Sequence, residues 1–523
     1  MPVSADPSQR GKFVDPVAVA VLATLISGAW AGRPSLWFDE AATISAATDR
    51  SLPQLWRLLS HVDAVHGLYY LLMHGWFTLF PATEFWSRAP SCLAVGVAAA
   101  GVVVFTKLFT GQSTGSAGRM TAGCAGIVFA ILPRITWAGI EARSYALMAA
   151  AGVWLTVLFV VSVRRNRPWL WVLYALALML SILLNIDIVL VALAFAAMLP
   201  ALTHRKSVIL RWAGTSLAAL AVTAPFILFA HRQIGQIGWI AEQKQNLFLE
   251  VALAQYFSGA GPVSEHRAPV DQSIPFAILA GVVIVAALAT RLAGVSGNNR
   301  ESRQLVFVCV AWTGIPTGID LAYSVLVQPV YQPRYLTPTA PAIAVILTVC
   351  IVTIGRKPWR IAGILALFAI AAFPNYFSTQ RGPYAKQGWD YSQVADVINA
   401  QATPGDCFLL DGDVWQRSLL VRARPTAFQS LVDVERGTRA PDLGTLGDSR
   451  IPVWLRTGRI NQCTTIWTIT DRDMGLPDHQ RQQSLPPGQF ERRPAYQVPA
   501  GLGFRIVERW QFTFMQVVKA MRG

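Results

Sequence analysis

Eleven mostly apolar runs, at about 16–32, 88–106, 119–134, 142–163, 169–184, 187–203, 208–230, 273–290, 305–326, 337–354 and 359–377, set the terms on which this chain can fold. A helix crossing the bilayer core needs about 20 such residues, because its backbone polar groups must be satisfied without water. The runs predict a polytopic α-helical membrane protein with about 11 transmembrane helices. Composition agrees: 14% of the residues are charged, against about 25% in soluble proteins. The first run follows Arg10 and Lys12 and precedes Gly28-Ala29-Trp30-Ala31, features shared with signal peptides. A retained anchor is the expectation, since cleavage would leave an even number of spans.

Lys and Arg then orient the chain. With a cytoplasmic N-terminus the inner loops hold Lys107 and Arg119; Arg164, Arg165 and Arg167; Arg205, Lys206 and Arg211; Arg291, Arg300 and Arg303; Arg356, Lys357 and Arg360. Short basic loops belong on the cytoplasmic side. Of the 15 Asp and Glu up to residue 377, only Asp6, Asp15 and Glu301 fall there. The net charge of +15 thus reports topology and contact with anionic lipid. Basic residues dispersed between spans give no reason to expect nucleic acid.

Residues 1–377 form the expected membrane domain, with a long outer loop over 33–87. Inside that loop, His66 to Phe77 is too short to cross comfortably and rich in Tyr and Trp, so it predicts a helix lying at the outer surface. Residues 378–523 hold 14 of the 29 acidic residues and no spanning run. They predict an extracytoplasmic α/β domain with a helix over 392–402 and strands starting at Cys407 and covering 464–469 and 510–518. Cys407 and Cys463 both fall in this outer tail, where a disulfide is permitted. Cys92, Cys124, Cys309 and Cys350 lie in apolar spans, and no combination of residues has the spacing of a metal site.

Asp39 and Glu40 adjoin the first span, in Trp37-Phe38-Asp39-Glu40-Ala41. A like-charged pair partly withdrawn from water raises the proton affinity of one member, which suits a general base. An interfacial anchor is the plainer reading. Glu141 with Arg143, and Arg334 with Tyr335, could equally be a structural pair and a headgroup anchor. Asp187 and Asp320, near outer ends of spans, could each pair with an Arg. Asp49, Asp63, Glu265 and Asp271 read as solvated loop charges. Glu250 is one of several charges in the outer loop over 231–272.

Taken together, these pieces resemble the C-superfamily (GT-C) of glycosyltransferases, in the branch of protein O-mannosyltransferases and the lipid A aminoarabinose transferase. Trp37-Phe38-Asp39-Glu40-Ala41 matches the family's first-loop Asp-Glu. His66-Gly67-Leu68-Tyr69-Tyr70 is similar to its His-Pro-Pro-Leu-Tyr-Tyr helix, with Gly67 in place of a proline. Ile140-Glu141-Ala142-Arg143-Ser144-Tyr145-Ala146-Leu147 resembles Gln-Glu-Ala-Arg-x-Tyr-Ala-Leu, with Ile140 in place of Gln. Pro333-Arg334-Tyr335-Leu336-Thr337-Pro338 resembles the later Arg-Tyr-Leu-x-Pro turn.

The resemblance implies transfer of a sugar, mannose first and arabinofuranose or another pentose second, from a polyprenyl-phosphate donor to an extracytoplasmic lipid, glycan or protein acceptor. It implies inversion at the anomeric carbon, with Asp39 as base and Glu40 beside it. His66, Tyr69, Glu141, Tyr145 and Asp187 would contact substrate, and Arg334 and Tyr335, with Arg143 and Arg88 behind them, would receive the leaving phosphate. Related enzymes differ over a divalent cation, and no cofactor is assigned here. A transporter or lipid flippase is the rival from another class. Such proteins place ionisable groups near the bilayer midplane and repeat their halves, whereas these charges gather on one face without a repeat. A non-catalytic lipid-binding scaffold is the third reading, which the intact Asp39 argues against.

Overall fold

The computed structural model describes residues 7–110, 116–243, 246–259, 272–293, 300–411, 414–474 and 502–523. Asp6, Lys244, Glu265, Arg267 and Asp271 lie outside the described residues. Two compact units form, one from Met1–Ala31, Val65–Tyr69 and Arg88–Arg381, the other from Gly32–Ala64, Tyr70–Ser87 and Gly382–Gly523.

The first unit is helical. All eleven apolar runs fold as helices, from α1 (Pro7–Gly28) to the helix Pro358–Pro374. Among the described residues seven helices are long and apolar enough to cross a membrane: Glu84–Thr110, Tyr145–Arg165, Lys206–His231, Ile274–Leu292, Arg300–Leu326, Pro333–Gly355 and Pro358–Thr379. Four of the remaining runs form shorter apolar helices, and a further one, Leu247–Phe257, occupies the outer loop read above as merely charged. Exposed Leu210, Leu217, Val222 and Leu228 along Lys206–His231 give that helix an apolar outer face suited to lipid.

Hydrocarbon gives helices no hydrophobic reason to associate, so close packing through small residues does the work. Gly96 shows it: a Cβ there would lie 2.7 Å from the Ala20 carbonyl oxygen of α1. The end of α1 is held by Arg381, which is fully buried. Its Nε donates to Ala29 O (3.0 Å) and its Nη2 to Ser27 O (3.2 Å), and its guanidinium lies 4.2 Å from the Tyr376 ring centroid. A cation at a helix C-terminus meets carbonyls that have no partner in the helix.

The second unit carries a five-stranded sheet in the order β2-β1-β3-β5-β4. Strands β1 (Cys407–Leu410), β2 (Val432–Asp433) and β3 (Thr465–Asp471) are parallel, while β5 (Met515–Arg522) runs antiparallel to β3 and to β4 (Phe504–Gln511). The single strand expected over 510–518 is therefore a hairpin. The Phe512 amide donates to Met515 O (2.9 Å) and closes its turn. The turn Phe512-Thr513-Phe514 lacks the Gly, Asn or Pro that marks such loops, so the run reads as unbroken. The expected helix is present at Tyr391–Gln401.

Cys407, which opens β1, is bonded to Cys463, just before β3. The bond links positions 56 residues apart, and cross-linking a loop of that size restricts the unfolded chain by about 4 kcal/mol in the chain-entropy model. Cys463→Ser is expected to lower the stability of this unit by up to that amount (about 4 kcal/mol). Thermal unfolding with and without reductant checks it, since reductant should shift only the wild type.

Candidate active site

Asp39 and Glu40 occupy the first turn of α2 (Phe38–Ala47). Trp37 precedes the helix in extended conformation and offers no side-chain cap, so the positive end of the helix meets the two carboxylates. Glu40 is fully buried, whereas Asp39 is half-buried. Only the second therefore keeps a face on its surroundings, which a base needs.

The tail of the second unit holds this helix in place. The Ser35 amide donates to Pro383 O (2.8 Å), the Leu36 amide to Ser392 Oγ (3.0 Å), and the Ser392 amide to Ser35 Oγ (3.0 Å). At the far end, Ser45 Oγ donates to Leu446 O (2.5 Å) and accepts from Arg422 Nε (2.7 Å). Arg50, just ahead of α3 (Leu52–Leu59), donates from Nε to Ser45 O (2.9 Å) and from Nη2 to Thr445 O (2.5 Å). Asp448 pairs with Arg422 at 3.3 Å. None of these residues carries a motif, so sequence reasoning passed over them.

Other outer-loop readings need correction. Asp63 is no solvated charge: its Oδ2 accepts from Tyr70 OH at 2.6 Å. His74 Nδ1 lies 3.1 Å from Ala47 O, at the end of α2. Tyr70 and His74 belong to α4 (Gly67–Phe77), the short helix expected there, and Trp76 donates to Trp86 O within the same unit (2.8 Å).

The first unit assembles a second group. Glu141 is fully buried and Arg143 nearly so. Their loop is pinned by α5 (Glu84–Thr110), where Ser91 Oγ donates to Glu141 O (2.6 Å) and Cys92 Sγ to Gly139 O (3.1 Å). Tyr145 opens the helix Tyr145–Arg165, with its ring 5.9 Å from Trp137 and 6.4 Å from Tyr335. The structure thus brings Tyr145 and Tyr335 together. Arg334 and Tyr335 sit in the 3-10 turn Pro333–Thr339, with the Arg334 guanidinium 5.6 Å from the Trp239 ring and 5.7 Å from that of Tyr335. The turn packs closely on the helix: a Cβ on Gly152 would lie 2.8 Å from Pro338 O.

Behind the turn lies a polar knot not anticipated from sequence. Arg134, almost fully buried, donates from Nε to Gln255 O (3.1 Å) and from Nη2 to Ala254 O (2.5 Å). Gln255 Nε2 donates to Tyr256 OH (2.5 Å) and Thr317 Oγ1 (2.9 Å), while its Oε1 accepts from Tyr331 OH (3.0 Å). Glu250 is fully buried rather than a surface charge. The bonds among Arg134, Gln255, Tyr256, Thr317 and Tyr331 make a rigid support. Its members were legible only as an Arg beside an apolar run and a Gln-Tyr pair in a long loop.

The remaining predicted residues stand as follows. Arg88 is buried in α5 and donates to Ala31 O (2.7 Å). His66 ends the turn Ala64–His66, and Tyr69 is buried on α4. Asp187 directly precedes the helix Ile188–Leu202 and Asp320 lies within Arg300–Leu326, and neither has the Arg partner expected for it among the described residues. Among the described residues no three His, Cys, Asp or Glu side chains group as a metal site.

No protein-family model and no curated protein matches the sequence. Solved structures do match the fold. ArnT from Cupriavidus metallidurans bound to undecaprenyl phosphate superposes with a TM-score of 0.54 at 13% identity, over 97% of this chain and 98% of that one. Its apo form gives 0.53 at 14%, over 98% of each. An archaeal oligosaccharyltransferase, AglB from Archaeoglobus fulgidus in complex with an inhibitory peptide and a dolichol-phosphate, gives 0.44 at 10%, over 87% of this chain and 69% of that one. The chain shares its fold with these ArnT structures: a helical body carrying the membrane-length helices and a small C-terminal sheet.

Proposed function

We propose that the chain is an inverting membrane glycosyltransferase that moves a sugar from a polyprenyl-phosphate donor to a lipid, glycan or protein acceptor on the extracytoplasmic face. The observation that carries the reading is the fold shared along 97% of the chain with a protein captured on undecaprenyl phosphate. Its eleven spans lie within residues 1–377, and its outer domain, residues 378–523, folds together with the loop segments 32–64 and 70–87.

Asp39 takes the proton of the acceptor hydroxyl as that oxygen attacks the sugar's C1 from the face opposite the phosphate. The bond from C1 to the phosphate oxygen breaks, and its electron pair leaves on the lipid phosphate. Arg334 and Tyr335, with Arg143 and Arg88, offset that charge, where preorganised donors count most. Buried Glu40 and Glu141 set the direction of their neighbours and of sugar hydroxyls, and His66, Tyr69, Tyr145 and Asp187 complete the substrate contacts. Apolar spans give the polyprenyl tail a solvent, the physical reason for a membrane body. Mannose is the first sugar to try and arabinofuranose the second.

The test uses purified chain in lipid nanodiscs with a membrane lipid and glycan extract as the source of acceptor hydroxyls and polyprenyl-phosphate mannose, glucose and arabinofuranose as donors, following donor loss and release of lipid phosphate. One donor should be consumed with inversion in the product. If all three persist while the protein stays folded, the reading fails.

A further inference from the structure

The second unit contains a cavity of about 340 Å³ that the scheme above does not use. Trp389, Tyr391 and Phe514 form its apolar side, with ring centroids 5.3 Å (Trp389 to Tyr391) and 5.4 Å (Trp389 to Phe514) apart. Gln416, Arg417 and Asp471 form its polar side. Arg417 is only 3% exposed and pairs through Nη2 with Asp471, whose side chain is 58% exposed. Its Nε and Nη1 meet no hydrogen-bond partner among the described residues. Donors on a buried guanidinium are costly to leave unmade, and such an exception asks for a ligand. Tyr391 OH donates to Gln416 O (2.6 Å) and so fixes the polar side against the aromatic one.

The balance of charge says what kind of ligand fits. Asp471 already offsets Arg417, and buried Asp390, whose Oδ2 accepts from the Phe514 and Met515 amides (2.8 and 2.9 Å), adds a further carboxyl within electrostatic reach of Arg417. An anion would meet these groups at a cost. A neutral polyol gains from both ends, taking bonds from Arg417 and giving hydroxyls to Asp471. Its C–H face lies on the rings, and a site of this size with few convergent polar groups is typical of small ligands. The position matters too: the Trp389 ring lies 6.3 Å from that of Phe38, the residue before Asp39. We propose that this cavity binds one or two residues of a neutral saccharide and docks the acceptor beside α2. The docking role rests on the transferase reading; the binding does not.

Isothermal titration calorimetry on the full chain in detergent tests it, with methyl α-mannoside, methyl β-glucoside, methyl β-galactoside, methyl α-arabinofuranoside and mannobiose as probes. Glucuronate and inorganic phosphate serve as anionic comparisons. At least one neutral glycoside should bind saturably, about tenfold more weakly to Arg417→Met, since bonds to a charged donor are lost. Phe514→Ala, at a partly exposed position, should weaken it comparably and guards against Arg417→Met failing to fold. Unchanged binding to Asp39→Asn supports the cavity whatever becomes of transfer. Binding by no glycoside, preference for phosphate or glucuronate, or wild-type binding by folded Arg417→Met would overturn the proposal.

Discussion

Asp39→Asn is expected to abolish sugar transfer while leaving the fold intact. A positioned general base contributes about 10²–10⁴-fold, so donor consumption should fall by at least two orders of magnitude. Asn keeps the size of Asp and its acceptor oxygen but cannot take a proton. The side chain is half-buried at the first turn of a helix, where losing a negative charge costs only about 0.3–1 kcal/mol. Donor affinity should therefore hold while turnover collapses. Turnover equal to wild type would remove Asp39 from the mechanism.

Arg334→Ala carries the second largest effect. Removing one donor from a site of developing negative charge costs about 10²–10³-fold in turnover, and the same loss is expected in phosphate release. Arg334→Lys separates charge from shape. The lysine keeps its cation but lacks the planar fork that lies 5.6 Å from the Trp239 ring and 5.7 Å from that of Tyr335. It should recover part of the rate. Lysine behaving like alanine would show that stacking, not charge, is the residue's contribution, and alanine turning over like wild type would end its role.

A smaller effect concerns pH and the stability of the sheet unit. Burial pushes the Asp390 carboxyl up to about 6, against the opposing pull of the Phe514 and Met515 amides and of Arg417. A carboxyl near 4 when unfolded and about 6 when folded binds more protons in the folded state between those values. Stability therefore falls as pH rises through that window and stays reduced above it, by up to about 3 kcal/mol. Asp390→Asn should flatten the dependence. Thermal unfolding at pH 4, 5, 6 and 7.5 measures it, and parallel curves for both proteins would refute the assignment.

The membrane body was legible because its signal is redundant: each crossing needs many apolar residues, and all eleven runs are helices. The short helix over Gly67–Phe77, the tail helix and β1 could be read in the same way. The hairpin at Phe512-Thr513-Phe514 could not, because hydrophobic alternation continues across it. Tyr145 and Tyr335 were candidates by motif, and their rings do approach. Arg134, Gln255, Arg50 and Arg422 were invisible for another reason. Arg134 and Arg50 donate to backbone carbonyls, most of them distant in sequence, and no residue pattern announces a carbonyl; Gln255 and Arg422 meet side chains that lie mostly far along the chain.

The anchoring of α2 also orders events in time. Leu36 emerges from the ribosome 356 residues ahead of the Ser392 hydroxyl that receives its amide, and Ser45 precedes Leu446 by 401. Contacts so far apart form late and slowly. During synthesis, the segment bearing Asp39 must wait for its tail anchors while nearly every span is inserted. A nascent chain thus carries Asp39 through membrane insertion before the tail residues that anchor its helix have been made.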